Sequence, residues 1–314
     1  MNVTLLAGGL SHEREVSLRS GSRVAQALST RGHDIEIVDL DSDGLAKILG
    51  GGVDVVVNLL HGGAGEDGSA QSLLELCGVP LVGSPSAAAR LAYDKVCASE
   101  VFARAGLFVP RSFVASMTLL RELGAARFLE RLVDLLGIPL VVKPRASGSA
   151  FGLSVVDNAA SLATALITAF RYDDVAILQE FVAGPELAVA VIDSGDGPRC
   201  LDIVQIIVPE GEIYDYEHRY TSGSVNVVAR PELSTGSLDE CDRQALMAFS
   251  ALGLRDYGRI DMIVDPGGVP YILEAAVNPG MTETSLWPIA VEASGLSLGA
   301  AWDSLVHTAV MRQI

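Results

Sequence analysis

Aromatic residues make up only 5% of this 314-residue chain, so its core must be built mainly from Ala, Val, Leu and Ile. Positive charge is also scarce. Lys and Arg total 22 against 39 Asp and Glu, for a formal net charge of −17. That balance excludes nucleic acid and anionic membrane surfaces as main partners, because clustered cations hold both. It leaves room for a phosphate ligand, which a few buried cations and backbone N–H groups can hold inside an acidic protein. The four cysteines, Cys77, Cys97, Cys200 and Cys241, form no CxxC pair and no zinc-spaced cluster with histidine. Reduced thiols in a cytoplasmic protein are expected. There is no 18-residue apolar run and no leader-like start, so no membrane segment is expected. Internal repeats, low-complexity tracts and the phosphate-loop pattern GxxxxGK[ST] are all missing.

What is present is 49% apolar residues and 32 glycines, enough for a packed core with many tight turns. The length suggests two or three modest domains. Strands are expected at Asn2–Ala7, Asp34–Asp39 and Val53–Leu60, with helices at Arg14–Ser29 and Ser69–Cys77 between and after them. This alternation implies an open parallel sheet with ligands at the carboxyl ends of its strands. A second unit starts near Tyr93. It holds helices at Lys95–Ala105, Leu119–Leu136 and Ala159–Phe170, and strands at Phe113–Ala115, Leu140–Lys143, Leu153–Val156 and Ala176–Phe181. From Gly184 come strands at Glu186–Ile192 and Cys200–Ile207, then the long polar segment Tyr214–Leu233. A helix at Asp239–Leu252, a hairpin of Tyr257–Val264 with Val269–Glu274 and a closing helix at about Leu298–Val310 complete the chain. The division reads as an N-terminal α/β domain (1–93), a central α+β domain (94–183) and a C-terminal α+β domain (184–314).

Four segments carry chemistry. In Ala7–Gly21 a strand ends in Gly-Gly before a charged helix start, where Glu15 could pair with a ligand ammonium; spacing alone fits a solvated helix start equally well. In His61–Gly68 a glycine-rich loop follows a buried strand, suiting close approach to a ligand but also an ordinary surface turn. In Val141–Gly152 a lysine ends an apolar strand beside a Gly/Ser loop that could close over phosphates, or serve as a mobile linker. In the fourth, Asp261 and Glu274 lie on two strands of one hairpin, as Mg²⁺ ligands beside phosphate do. Arg259, two residues before Asp261, shares that strand face and could bind an oxyanion. Paired surface charges are the plainer reading of that face.

In order, the segments GG-x-S-x-E-R-E-V-S, HG…GEDG, VVKP…GS…G, GPE, YDYE…Y, GRID and LEA…PGMT…SL resemble the D-alanine–D-alanine ligase family, of the ATP-grasp type, from Ala7 to about Pro288. The resemblance implies a three-domain ATP-grasp fold and a cytoplasmic ligase using ATP and Mg²⁺ to join two amino acids, D-alanine with D-alanine for peptidoglycan. It implies small-molecule partners and allows a homodimer. Lys95 and Lys143 would contact the ATP phosphates under the loop of Ser147, Gly148 and neighbours. Gln179, Glu180 and Val182 would meet adenine mainly through backbone, and Glu186 would hold the ribose. Asp261 and Glu274 would bind Mg²⁺. Glu15 would take the first ammonium, in a network with Ser149 and Tyr220, and His61 would lie near that substrate. Arg259 and the Gly280 N–H would stabilise the tetrahedral oxyanion. Ser285 and the Leu286 N–H would receive the second carboxylate.

Three positions depart from the family pattern. Ala276 stands where the metal motif has Asn, with Asn278 as the residue expected to compensate. Arg219 replaces the lysine before the lid tyrosine, keeping charge but changing reach. The segment VNVVARPEL does not follow the usual lid. These departures keep two alternatives open: a related ligase for another amino acid or analogue in antibiotic biosynthesis or resistance, and an ATP-binding regulator without catalysis.

Overall fold

The computed structural model describes residues 1–123, 125–209, 212–221 and 223–312. Its first sheet is parallel throughout, with strand order β2-β1-β3-β4. In chain order this part contains β1 (Asn2–Leu6), α1 (Arg14–Ser29), β2 (Asp34–Val38), α2 (Ser42–Leu49), β3 (Val55–Asn58), α3 (Ser69–Leu76), β4 (Leu81–Val82) and α4 (Ser86–Tyr93). All four residues of β3 are buried, as a central parallel strand covered on both faces requires. The strand carboxyl ends converge on the turns Gly8-Gly9, Leu40 and His61–Gly65, which line one glycine-rich cleft. Gly8 has φ +114, and a side chain there would strike the Asp39 carboxylate.

The second sheet is antiparallel, order β5-β8-β6-β7. It is formed within α5 (Lys95–Arg104), β5 (Ser112–Ser116), α6 (Met117–Leu123), α7 (Ala125–Leu136), β6 (Leu140–Pro144), β7 (Ser154–Val156), α8 (Leu162–Ala169) and β8 (Val175–Glu180). The single helix expected over Leu119–Leu136 is therefore two helices, with residue 124 between them outside the described residues. Asp94 caps α5, its carboxylate accepting from the Val96 and Cys97 N–H groups, so Lys95 enters the helix at a fixed angle.

The third sheet runs β12-β11-β9-β13-β14, with β10 also on β9. Its part of the chain holds β9 (Glu186–Ile192), β10 (Arg199–Cys200), β11 (Val204–Ile207), α9 (Tyr216–Tyr220), β12 (Asn226–Ala229), α10 (Thr235–Ala251), β13 (Tyr257–Val264), β14 (Pro270–Ala276), α11 (Leu286–Ala293) and α12 (Leu298–Met311). The strand expected over Cys200–Ile207 is split, and the polar segment Tyr214–Leu233, residue 222 aside, contains α9 and β12. The expected hairpin is β13–β14, in which Asp261 stands directly opposite Glu274 and Arg259 opposite Ala276.

The chain's last helix returns to its beginning. α12 packs on α1, β3 and β4, and one continuous core runs from Val3, Leu5 and Val57 to Trp287, Trp302 and Leu305. Both tryptophans of the protein are in that core. They meet Tyr257 edge-on, with ring centroids 5.7 and 5.1 Å away. Few aromatics do not mean none in the core: these three are placed where the first and third sheets meet, and Phe102 and Phe249 are buried in a separate cluster.

Candidate active site

A cavity of about 370 Å³ lies between the second and third sheets, lined among others by Lys95, Lys143, Phe151, Gln179, Glu186, Arg219, Asp261 and Glu274. Strand alternation puts these groups there. Lys143 is the penultimate residue of β6; Asp261 and Glu274 are the facing pair of β13–β14; Glu186 opens β9, which pairs with β13. Ser147, Glu180 and Val182 also line the cavity. The Ser147 carbonyl accepts from Lys95 Nζ at 2.7 Å, so the glycine-rich loop is tied to α5.

The electrostatics are those of a prepared anion site. Lys143 is buried, and burial pulls its ammonium down to about 8 even though Glu274 favours the charge. Lys95 Nζ is 3.1 Å from Glu274. Burial alone would raise the Glu274 carboxyl, but Lys95, Arg219, Lys143 and Arg259 together hold it well below its ordinary value. Burial and the charges of Asp261 and Glu274 push Glu186 the other way, up to about 7, despite Arg219. Arg259 grips Asp261 with both arms, Nε and one NH₂ at 2.6 and 2.7 Å. Glu186, Asp261 and Glu274 line one cavity, with Asp261 and Glu274 paired across the β13–β14 hairpin, and such a hard-oxygen donor set suits a divalent cation. The residues therefore fit Mg²⁺.

Beside this cavity lies a second group of polar contacts. Ser149 Oγ hydrogen-bonds a Glu13 carboxylate oxygen and lies 3.0 Å from the Tyr220 hydroxyl. Ser149 and the following Ala150 hold φ of 47° and 55°, a left-handed turn that carries the serine across to α1. The residue in this network is Glu13, not Glu15. Glu13 is 6% exposed and sits at the end of the helix that faces the sheet edge, whereas Glu15 is exposed and borders a surface cleft with Arg19 and Arg23. Gly148 and Gly62 stand so close to Glu13 that a side chain on either would collide with its carboxylate. Burial raises the Glu13 carboxyl against the lowering pull of Ser149, Arg219 and Lys95. Glu66, from the same loop as His61, is pushed up to about 8 by burial and by the Glu13 charge. The sequence reading missed both carboxylates. The helical period offered a signal for the first: Glu13 shares a face with Ser17, Ser20 and Val24, all buried, while Glu15 points the other way.

His61 is buried and neutral, its imidazole drawn down to about 4 by burial. Nδ1 is 3.1 Å from the Asn278 carbonyl and Nε2 3.0 Å from Ser20 Oγ, so the network assigns the proton to Nδ1 and makes Nε2 the acceptor. The Ser20 hydroxyl oxygen in turn accepts from the Met281 N–H at 3.0 Å. Asn278 is not among the residues lining the cavity of Asp261 and Glu274: its amide nitrogen donates to the Gly65 carbonyl at 2.8 Å, pinning the His61–Gly68 loop, and its amide oxygen faces the Tyr257 hydroxyl at 3.5 Å, while the methyl of Ala276 offers a metal no oxygen. Arg219 Nε donates to the Tyr214 carbonyl at 3.2 Å, and its guanidinium lies 4.4 Å over the Tyr214 ring. Thr284 Oγ1 donates to the Arg219 carbonyl at 2.9 Å, joining α9 to the loop before α11. In that loop Ser285 Oγ accepts from the Thr282 N–H at 2.9 Å, and Gly280 passes so near Ser285 that any side chain there would clash. Leu286 is the first residue of α11, so its N–H is among those a helix start leaves without an intrahelical partner.

A family model described as the C-terminus of D-ala D-ala ligase matches residues 101–307, and one described as its N-terminus matches residues 46–84. The chain is 38% identical over 313 residues to a D-alanine–D-alanine ligase of Desulforudis audaxviator, covering 99% of each. It is 37% identical over 310 residues to one of Bordetella petrii, covering 99% of this chain and 92% of the relative. Among solved structures, a D-alanine–D-alanine ligase from Bacillus anthracis superposes with a TM-score of 0.85 at 27% identity, covering 100% of this chain and 98% of that one. The VanG D-Ala:D-Ser ligase of Enterococcus faecalis superposes at 0.84 with 26% identity, covering 98% and 99%. The Bacillus anthracis enzyme is also solved with ATP, at a TM-score of 0.83.

Proposed function

This chain belongs to the D-alanine–D-alanine ligase family, with its ATP-grasp fold, and from that premise we propose that it uses ATP to join two D-alanine molecules for peptidoglycan synthesis. The observation that carries the reading is the convergence of Lys95, Lys143, Asp261 and Glu274 on one cavity, next to a buried carboxylate that could receive an ammonium. The named activity of relatives matched over nearly the whole chain supports D-alanine as substrate, and their chemistry supports a cytoplasmic location, where ATP is supplied.

In this reading the triphosphate lies against Lys143 and Lys95 beneath the Ser147–Gly152 loop, the backbone of 179–182 meets adenine and Glu186 meets the ribose. Asp261 and Glu274 would hold Mg²⁺, which supplies charge neutralisation at the phosphates. Glu13 takes the ammonium of the first amino acid, and Ser149 and Tyr220 fix its carboxylate. The first carboxylate then attacks the γ-phosphorus; the bond to ADP breaks and an acyl-phosphate forms. The neutral amine of the second amino acid, its carboxylate held by Ser285 and the Leu286 N–H, attacks that carbonyl. Arg259 and the Gly280 N–H stabilise the oxyanion until inorganic phosphate leaves and the amide remains. The protein contributes position and fixed charge rather than covalent chemistry. The three domains, 1–93, 94–183 and 184–314, each supply one wall: ammonium site, phosphate loop, metal and oxyanion site.

A second reading is a related ligase that acts on another amino acid or analogue. Arg219 and Ala276 depart from the family pattern, and one structural neighbour is a D-Ala:D-Ser ligase. ATP-dependent phosphate release, measured with D-alanine and then with a panel of D- and L-amino acids, separates the readings. Turnover with D-alanine alone supports the proposal; silence with D-alanine and turnover with another amino acid overturns it in favour of the second; nucleotide binding without turnover on any substrate removes catalysis.

A further inference from the structure

We propose that His33, Asp303 and His307 form a transition-metal site, suited to Zn²⁺, remote from the ligase cleft and independent of the ligase reading. Their ligand atoms all lie within 4.8 Å of one another. His33 stands in the turn between α1 and β2; Asp303 and His307 are one helical turn apart on the same face of α12, the i,i+4 spacing that lets two side chains share one ion. His33 Nε2 is 2.8 Å and His307 Nδ1 3.2 Å from the same Asp303 oxygen, Oδ1; His307 Nδ1 is also 2.7 Å from the Asp303 backbone carbonyl, a contact that the exposed ring gives up in turning a nitrogen to the ion. A tetrahedral Zn²⁺ bonded at ~2.0–2.1 Å sets its ligand atoms about 3.3 Å apart, so small shifts admit the ion between the three.

The surroundings hold two of the three ligands in place. The His33 side chain is only 4% exposed and its Nδ1 has no hydrogen-bond partner among the described residues, so Nε2 is the ring's engaged nitrogen and it is fixed on Asp303. The other carboxylate oxygen of Asp303 lies 3.2 Å from the Arg31 guanidinium, which leaves Oδ1 turned to the two imidazoles. Among the described residues Arg31 is the cation paired with the cluster, and its side chain is half exposed. His307 is largely exposed, leaving the fourth coordination position to water. Borderline-soft imidazole with one carboxylate suits Zn²⁺ over Mg²⁺. Binding would clamp α12 to the turn that follows α1, reinforcing the junction between the chain's two ends.

The test uses tag-free full-length protein in excess Mg²⁺, titrated with Zn²⁺ by calorimetry and followed by Tm, with Co²⁺ absorption reporting tetrahedral geometry. One equivalent should bind and raise Tm, because an ion that binds only the folded state stabilises it. His307→Ala, on an exposed side chain, and Asp303→Asn should each lower affinity by about tenfold or more, while Glu274→Gln leaves it intact. Equal Zn²⁺ affinity in wild type and His307→Ala, or loss of binding in Glu274→Gln, would overturn the assignment.

Discussion

Glu13 and Glu15 are two positions apart, and the helix period turns that step into opposite surroundings. Glu13 is buried against Gly62, Gly148 and Ser149; Glu15 looks outward beside Arg19. Glu13→Gln removes the charge from the proposed ammonium site and is expected to raise KM for the first amino acid about 10- to 100-fold, the loss of one charged hydrogen bond. Glu15→Gln should leave kcat/KM within about twofold. Steady-state kinetics of the two variants decide between them, and the reverse ranking would return the role to Glu15. Lys143 sets a pH dependence. Its free ammonium titrates at about 8, and an anion bound beside it favours the charged form. Below that pH the lysine is already charged. Above it, nucleotide binding must take up a proton, so Kd should rise by up to about tenfold per pH unit. Calorimetry of an ATP analogue across pH 7–9.5 checks this. In Lys143→Met binding should be weaker throughout and lose that slope.

At the scale of elements, what was readable depended on length and period. The hairpin β13–β14 was legible because alternation and a Pro-Gly-Gly turn both mark it, and that register is what brings Asp261 opposite Glu274. The α9 helix was not, since five residues, Tyr216–Tyr220, are too few to show a period. Its existence follows from contacts. The Asp215 side chain accepts from the His218 N–H, Tyr216 stacks on Phe151 of the phosphate loop at 4.9 Å, and Tyr216 and Tyr220 pack together. Thr284 completes the connection by bonding the Arg219 carbonyl. Thr284→Val, which loses one hydrogen bond, should loosen α9 over the reacting atoms while sparing the nucleotide site. The expected result is a several-fold higher KM for the second amino acid and more phosphate released per dipeptide, with unchanged ATP affinity. A phosphate-to-dipeptide ratio that stays at unity would show that α9 is not held by this bond.

Over the whole molecule the order of parts was legible and their joints were not. Motif order and β–α alternation indicated an open sheet followed by two α+β units, but nothing local announces that α12 packs back on α1 or that Trp287, Trp302 and Tyr257 meet between sheets. The same distance hides the work of Asn278. Its spacing after Glu274 suggested a metal ligand, whereas the fold commits it to the loop of His61, more than two hundred residues earlier. Between the second and third sheets Lys95 and Lys143 face the paired carboxylates, and Glu274 is held well ionised there. Dipeptide and ADP formation from D-alanine and ATP, quantified by mass spectrometry for wild type and for Glu274→Gln, therefore tests the account most directly. Equimolar dipeptide and ADP from the wild type, with a loss of about 10²–10³ or more in the folded variant, is the expected result; a variant that turns over at near the wild-type rate would contradict it.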